Sequence, residues 1–328
     1  MLDKLEQYRH YRKYLEPAYG EAAPDAVIDP AQAMDMERPT QARIKMNFET
    51  IAGLTDLWKN TYAFRRIMNI STVNLTVPSG EYQLPLRIYL PQGEGPFPVM
   101  VFYHGGGWAM NSLDVYDFLP RYLADYGGVL VVAPEYRLAP EHRFPKGLED
   151  AYAALVWAAE HAGEYGGDTG RISVCGDSAG GNLSAAVCLM ARDRKGPRIH
   201  RQILQYPCVA FHLGYRSQSE LRYGEGGYFL ALNSEREELD YYFDHREDAL
   251  SPYASPLYVE DLSGLPPVVF VSAECDPLLD QALMYAARLE DAGVEVEYHL
   301  YEGMVHAFLN RPQQKTFEAL DVSAAACR

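Results

Sequence analysis

Ser178 stands at the centre of the pattern Gly176-Asp177-Ser178-Ala179-Gly180. A serine hydroxyl becomes a nucleophile when a neighbouring base takes its proton. A sharp turn between a strand and a helix exposes such a hydroxyl and brings together the residues two before and two after it, so both must lack a side chain. The pattern therefore predicts a nucleophilic serine at the start of a helix, whose amino terminus favours developing negative charge.

The base that would activate Ser178 is expected among the histidines that follow it, which are His200, His212, His245, His299 and His306. His299 lies within an alternating apolar segment, on the face that carries Glu295 and Glu297, and is interpreted as structural. His306 lies in a turn just after that segment, and loops at the carboxyl ends of strands supply the site residues of α/β sheets. We therefore predict His306 as the base; its alternative role is to cap the last helix.

An acidic residue must hold the imidazole in the right tautomer and stabilise it when it is protonated. Asp276 follows the apolar run 268–272 and precedes a helical pattern, so it is expected at the same sheet edge as Ser178. Asp280 lies one helical turn further on, where capping or solvent exposure is expected, and Glu274 is the other competitor. Asp276 is the predicted acid.

Three consecutive glycines follow another apolar run, in the sequence His104-Gly105-Gly106-Gly107. Glycines let a backbone approach a reacting carbonyl and direct amide groups at a developing oxyanion. We predict that the amides of Gly105 and Gly106, with that of Ala179, form the oxyanion hole. A flexible turn is the alternative; a dinucleotide site is disfavoured because the Gly-x-Gly-x-x-Gly spacing is absent.

The elements that must position these residues alternate between strand and helix patterns. Short apolar runs, typical of strands covered on both faces, occur at 98–103, 129–133, 172–175, 203–206 and 268–272, and alternating strands at 84–90 and 294–300. Helical patterns lie between them at 148–161, 183–190 and 282–289. Strands that alternate with helices predict an α/β protein with a mostly parallel sheet.

Two segments break this rhythm. Residues 1–70 carry helical periodicity interrupted by prolines, and residues 209–250 form an insertion rich in Tyr, Glu and Arg. We expect both to lie outside the sheet and to form a helical cap. The predicted organisation is an N-terminal cap segment at 1–70 and a catalytic domain at 71–328, with the cap insertion at about 209–250.

Composition excludes several classes of function. The chain has 328 residues and a net charge of −16, which disfavours nucleic acid as a partner because phosphate binding needs clustered positive charge. No apolar run is long enough to span a membrane, and the charged amino terminus lacks a secretory signal, so a cytoplasmic location is predicted. The five cysteines are widely spaced without a Cys-x-x-Cys pair, so neither a disulfide framework nor a metal site is expected.

Taken together, these motifs resemble the hormone-sensitive-lipase branch of the α/β-hydrolases, which includes bacterial short-chain carboxylesterases and acetyl esterases. The resemblance covers about 75 to 310, and its matching pieces are His104-Gly105-Gly106-Gly107-Trp108, Glu135-Tyr136-Arg137-Leu138-Ala139-Pro140-Glu141, Phe144-Pro145, Gly176-Asp177-Ser178-Ala179-Gly180-Gly181, Gln205-Tyr206-Pro207, Leu265-Pro266-Pro267, Asp276-Pro277-Leu278 and Met304-Val305-His306. Two residues depart from the family pattern: Glu135 replaces a more usual aspartate, and Ala307 replaces the glycine often found after the histidine.

The resemblance implies the α/β-hydrolase fold with an eight-stranded, mostly parallel sheet flanked by helices, a helical cap, a Ser178–Asp276–His306 triad and no cofactor. It also implies a homodimer as one oligomeric state, because bacterial relatives often pair. Trp108 is expected either to border the substrate pocket or to pack the glycine loop.

The predicted function is hydrolysis of small neutral esters with short acyl groups, acetyl foremost, through an acyl-enzyme. Tyrosines in the insertion suit neutral amphipathic ligands such as acetylated sugars or small aromatic esters, or they simply pack the cap. Two alternatives stay open, namely an amidase or formamidase on the same triad and a small-molecule-binding protein of the same fold.

Overall fold

The computed structural model describes residues 53–211, 216–232 and 238–328. Within them, eight strands form a sheet, and in chain order they are β1 Ser71–Ser79, β2 Tyr82–Leu90, β3 Phe97–Tyr103, β4 Leu130–Pro134, β5 Gly167–Asp177, β6 Gln202–Gln205, β7 Val268–Cys275 and β8 Val296–Val305. Their spatial order is β1-β2-β4-β3-β5-β6-β7-β8. β2 pairs antiparallel with β1 and β4, and the remaining pairs are parallel. The predicted mostly parallel eight-stranded sheet is confirmed.

The helices of the described residues begin with a helical stretch at 53–59. The others are α1 Phe64–Ile67, α2 Phe118–Asp125, α3 Lys146–His161, α4 Ala179–Asp193, α5 Gln218–Tyr223, α6 Glu238–Tyr242, α7 Leu279–Asp291 and α8 Gln314–Cys327. Short 3₁₀ helices lie at Ala162–Tyr165, Arg246–Leu250, Pro256–Tyr258 and Phe308–Asn310. The three helices expected from periodicity correspond to α3, α4 and α7.

Helices cover both faces of the sheet, which explains the continuous apolar strands. One hydrophobic core joins the sheet to α3, α4 and α7 through buried side chains such as Leu155, Leu183 and Leu283. The other joins it to α2 and α8 through side chains such as Leu119 and Leu320. The central strands are thereby held between two apolar layers and form a rigid platform for the loops at their ends.

The predicted catalytic residues follow four strands that end at one edge of the sheet. β3, β5, β7 and β8 are parallel, so their carboxyl ends meet at the same side of the sheet. His104 follows β3, Ser178 follows β5, Asp276 follows β7 and His306 follows β8. Residues that are up to 202 positions apart in sequence are therefore placed on neighbouring loops.

Most of the predicted N-terminal cap segment, residues 1–52, lies outside the described residues. The part that is described packs on the α2 and α8 layer: the Trp58 ring is fully buried and stacks on Phe118 with 5.4 Å between centroids and 7° between planes. Arg66 forms an ion pair with the buried Asp125 of α2. Residues 53–70 thus brace one face of the sheet.

The insertion predicted at about 209–250 is described at 209–211, 216–232 and 238–250. Its helix α5 is tied to the start of α7, because the Ser219 amide donates to Asp280 Oδ2 at 3.0 Å and the Ser219 hydroxyl donates to the Pro277 carbonyl at 2.9 Å. Since Pro277 directly follows Asp276, these bonds seat the insertion beside the catalytic edge.

Across the described ranges, the helices are all too short or too polar to cross a lipid bilayer.

Candidate active site

The side chains of Ser178, His306 and Asp276 form a continuous chain of hydrogen bonds. His306 Nε2 lies 2.9 Å from Ser178 Oγ, and His306 Nδ1 lies 2.7 Å from Asp276 Oδ2. The second oxygen of Asp276 accepts the amide of Leu278 at 2.8 Å, which fixes the carboxylate. With Nδ1–H donating to the carboxylate, the lone pair of Nε2 faces the serine hydroxyl, as general-base catalysis requires.

Ser178 sits on a strained turn between β5 and α4. Its backbone has φ +55° and ψ −116°, a conformation that side-chain-bearing residues rarely adopt and that is often found at functional sites. A Cβ on Gly176 would collide with the Gly180 carbonyl, and one on Gly180 would collide with the carbonyl of Tyr103. The structure therefore gives the physical reason for both glycines of the pattern.

The glycine loop requires one correction to the expected oxyanion donors. The amide of Gly105 donates to Asp177 Oδ1 at 2.7 Å, so this amide is already engaged by a protein acceptor. The amides of Gly106, at φ +124°, and Gly107, at φ +58°, have no protein acceptor within the described parts of the chain. Gly107 thus replaces Gly105 in the candidate set, together with Gly106 and Ala179.

The residues that engage the Gly105 amide can be recognised in the sequence. Asp177 directly precedes the nucleophile at the end of a buried strand, and a buried carboxylate must find hydrogen-bond donors. The first glycine of the adjacent loop, Gly105, supplies one of them. The sequence contained both residues, but the pairing between β3 and β5 that places them side by side appears only in the fold.

The competing acids and bases serve other purposes. Glu274 Oε2 accepts the amide of Gly303 at 2.7 Å and holds the end of β8, just before His306. Asp280 binds the insertion through Ser219, as described above. His299 lies near the sheet surface with Nε2 2.6 Å from Glu297, in agreement with its structural interpretation.

Trp108 packs the glycine loop against the insertion. Its ring is buried and lies 4.7 Å from the Phe211 ring and 4.7 Å from the Tyr242 ring, nearly parallel to the latter at 18°. Of the two expected roles, loop packing is therefore visible, and Phe211 and Tyr242 come from the tyrosine-rich insertion. The three rings form an aromatic stack next to the candidate oxyanion donors.

Phe229 of the insertion stacks on His306, a contact that no pattern in the sequence indicated. The two rings are 6.5 Å apart between centroids and 28° from parallel. The Leu230 amide donates to the Tyr228 carbonyl at 3.0 Å around Phe229, whose φ is +75°. This tight and strained three-residue turn aims the ring at the imidazole.

Electrostatics around the site are dominated by buried groups. Burial raises the pKa of Asp177 to about 6, while hydrogen bonds from Tyr116 and Gly105 act in the opposite direction. Burial lowers the pKa of His104 to about 4, so this imidazole is neutral at pH 7. His104 Nδ1 lies 2.8 Å from the Gly105 carbonyl and helps to fix the glycine loop.

Glu135 and Ala307, which depart from the family pattern, are compatible with the hydrogen bonds between Ser178, His306 and Asp276. Glu135 Oε2 accepts the amide of Leu113 at 2.9 Å, and burial raises the pKa of Glu135. Ala307 adopts the left-handed conformation with φ +60° and ψ +25°, which explains why glycine is favoured there. His306 still reaches Ser178 and Asp276.

The residues that the structure describes contain no group of three or more His, Cys, Asp or Glu side chains with the arrangement of a metal site. All five cysteines are buried and form no disulfide bonds.

Comparison with known proteins identifies the family. A model described as alpha/beta hydrolase fold matches residues 100–310. The chain is 41% identical over 248 residues to carboxylic ester hydrolase LipN of Mycobacterium tuberculosis, covering 74% of this chain and 65% of LipN, and so spans just under two thirds of that relative. It is 40% identical over 247 residues to an arylesterase of Saccharolobus solfataricus, covering 74% of this chain and 78% of the relative.

Solved structures agree with these sequence relatives. An esterase from Pyrobaculum calidifontis superposes with a TM-score of 0.81 at 35% identity, covering 92% of this chain and 94% of the esterase. The carboxylesterase EstE1, cloned from a metagenomic library, superposes with a TM-score of 0.80 at 34% identity, covering 88% and 96%. The resemblance seen in the motifs is confirmed, and the chain belongs to the alpha/beta hydrolase family.

Proposed function

We propose that this chain is a serine carboxylesterase that cleaves short-chain esters, acetyl esters foremost, through an acyl-enzyme on Ser178. The observation that carries the proposal is the hydrogen-bond chain from Ser178 through His306 to Asp276, with distances of 2.9 and 2.7 Å. Relatives named carboxylic ester hydrolase, arylesterase and ethyl acetate hydrolase support the reaction class.

Acylation begins when His306 Nε2 takes the proton of Ser178 Oγ and the oxygen attacks the ester carbonyl. The carbonyl oxygen becomes an oxyanion that accepts hydrogen bonds from the amides of Gly106, Gly107 and Ala179. Each such donor is worth about 3 kcal/mol in the transition state. The intermediate then expels the alcohol, which takes the proton from Nε2, and the acyl group remains on Ser178.

Deacylation repeats these steps with water as the nucleophile. His306 takes a proton from water, the hydroxyl attacks the acyl carbonyl, and the same amides hold the second oxyanion. Collapse releases the carboxylic acid and returns the proton to Ser178. Asp276 stays ionised throughout, because its part is to orient and stabilise the imidazolium.

A short acyl group is supported by the aromatic stack of Trp108, Phe211 and Tyr242. These side chains are buried, and Trp108 directly follows the glycine loop. We infer that they limit the space for an acyl chain attached to Ser178. A closely packed interior does not admit further methylene groups without displacing side chains. We therefore expect acetyl and propionyl esters to fit better than long-chain esters.

The alcohol part of the substrate is expected beside Phe229. His306 must reach the leaving oxygen to protonate it, so the alcohol group has to lie near the imidazole and the ring that covers it. Aromatic rings pack well against planar or small apolar groups. We infer that small aryl and short alkyl alcohols are the preferred leaving groups. A cytoplasmic location and a homodimer stay predictions from the sequence and the family resemblance.

The test is a panel of 4-nitrophenyl esters from acetyl to dodecanoyl, extended to ethyl and phenyl acetates, with Ser178→Ala as control. We expect kcat/KM to be highest for acetyl or propionyl and Ser178→Ala to lose turnover by at least 10³-fold. A rate that rises steadily towards dodecanoyl would refute the acyl assignment. Faster turnover of matched anilides than of esters would favour an amidase, and tight binding without turnover would favour a binding protein.

A further inference from the structure

The carboxylate of Asp177 is almost fully buried and gathers three donors from three different segments. Its Oδ1 accepts the Gly105 amide at 2.7 Å. Its Oδ2 accepts the Tyr116 hydroxyl at 2.8 Å and the Tyr206 hydroxyl at 3.4 Å. None of the steps of ester hydrolysis described above uses this group, although it directly precedes Ser178 in the chain.

Each donor leads to a different part of the active site. Gly105 opens the loop that carries the amides of Gly106 and Gly107. The ring of Tyr206 packs edge-on against His306, with 5.0 Å between centroids. The Tyr116 hydroxyl also accepts a hydrogen bond from Asn310 Nδ2 at 3.2 Å, and Asn310 lies in the 3₁₀ helix that follows His306.

We propose that Asp177 is a positioning residue, whose carboxylate fixes the oxyanion loop and the ring behind His306 relative to the nucleophile. This inference rests on the proposed esterase function.

Peptide geometry explains how the Gly105 amide, which is bound by Asp177, controls the direction of the Gly106 amide. The carbonyl of Gly105 and the amide of Gly106 belong to one planar trans peptide unit and point in opposite directions. Asn111 Nδ2 donates to the Gly105 carbonyl at 2.9 Å, while Asp177 holds the Gly105 amide on the preceding peptide unit. With both sides of Gly105 pinned, the direction of the Gly106 amide is set before substrate binds.

The negative charge of the Asp177 carboxylate strengthens the hydrogen bonds that it accepts. Hydrogen bonds to an ionised acceptor are shorter and about twice as strong as neutral ones. A buried carboxylate is also unfavourable for folding unless donors compensate it, and the raised pKa of Asp177 reflects that burial. A costly group held next to the nucleophile, with donors that connect it to the glycine loop and to His306, indicates a functional role.

The test compares Asp177→Ala and Asp177→Asn with the wild type on 4-nitrophenyl acetate. In Asp177→Ala the Gly105 amide loses its acceptor, so we expect kcat to fall by about 10²-fold or more while KM stays within threefold. In Asp177→Asn the amide oxygen can still accept from Gly105, so kcat should recover at least tenfold but stay at least threefold below the wild type.

A second readout reports on the oxyanion hole itself. An aryl trifluoromethyl ketone adds to Ser178 and forms a tetrahedral oxyanion, so its inhibition constant should rise across the variants in parallel with the loss of kcat/KM. Asp125→Asn is the matched control, because Asp125 is another buried aspartate but lies on α2 and pairs with Arg66. This control is expected to lower Tm and leave kcat within twofold of the wild type.

The outcomes separate the inference from the function. If the wild type turns over esters and Asp177→Ala keeps kcat within threefold, the positioning role is wrong and the esterase function stands. If Asp177→Ala does not fold, Asp177→Asn decides: kcat and ketone affinity within twofold of the wild type refute the role, and parallel losses of both support it. If the wild type itself does not hydrolyse esters and is not labelled at Ser178, the function fails.

Discussion

Replacing Trp108 by leucine should shift the acyl preference from acetyl towards butyryl esters. The indole is buried in the stack with Phe211 and Tyr242 beside the oxyanion loop. Leucine keeps this position apolar but removes most of the ring, so space opens where the acyl chain would extend. The substitution therefore tests whether this aromatic stack sets the depth of the acyl site.

The size of the effect follows from the methylene groups that gain a place. Each buried methylene contributes about 0.8 kcal/mol, so the two that distinguish butyryl from acetyl contribute up to about 1.6 kcal/mol. This corresponds to a rise of up to about 15-fold in the ratio of kcat/KM for butyryl over acetyl esters. Loss of part of a buried indole should also destabilise the protein by about 2 kcal/mol, roughly half the cost of a full truncation to alanine.

The assay measures kcat/KM for 4-nitrophenyl acetate and butyrate in Trp108→Leu, with Trp58→Leu as the matched control. Trp58 is also fully buried, but it packs on Phe118 in the layer formed with α2 and α8. Both variants should lose similar stability, and only Trp108→Leu should change the butyryl-to-acetyl ratio. An unchanged ratio in Trp108→Leu, or an equal change in the control, would refute the proposed acyl site.

Three further substitutions test individual elements of the site. Asp276→Asn should lower kcat by about 10⁴-fold, since the amide favours the wrong tautomer of His306; a loss below tenfold in steady-state kinetics would argue against Asp276 as the acid. Gly106→Ala should lower kcat by about 10²-fold or more, because the new Cβ would meet Asn111 Nδ2 and the Met110 carbonyl at 2.5 Å and disturb an oxyanion donor; steady-state kcat near the wild-type value would contradict this. Ala307→Gly should raise the free energy of unfolding by about 1 kcal/mol, as it relieves the left-handed backbone at φ +60°; a lower denaturation midpoint in urea would refute it.

The triad could be predicted because catalysis imposes local patterns on the chain. Ser178 requires small neighbours at 176 and 180, and the structure shows the backbone contacts that would exclude side chains there. Asp276 follows a strand with a visible apolar run and His306 follows a strand with an alternating pattern, so the edge of the sheet at which they meet could be inferred. Such features depend on a few neighbouring residues and on strand direction.

The oxyanion loop was only partly predictable, because the orientation of an amide depends on contacts across the sheet. The sequence indicates a glycine loop but not which amides are already engaged. Asp177 binds the Gly105 amide across 72 positions of sequence, and this contact leaves Gly106 and Gly107 as the proposed donors of the glycine loop. The fold supplies the missing information through the pairing of β3 with β5.

The insertion, which we predict to be part of a cap, was the least predictable part of the described chain. Its short helices α5 and α6 carry little periodicity, and their positions depend on single polar contacts such as the one between Ser219 and Asp280. The stacking of Phe229 on His306 depends on a strained turn that no propensity would favour. The role of residues 1–52 in a cap stays a prediction.

The central claim, that His306 activates Ser178 for covalent attack, is tested most directly by labelling with a fluorophosphonate and locating the label by peptide mass spectrometry. We predict one label per chain on Ser178, no label in Ser178→Ala, and a labelling rate at least 10³-fold lower in His306→Ala. A label on another residue, or a His306→Ala variant that reacts as fast as the wild type, would contradict the account.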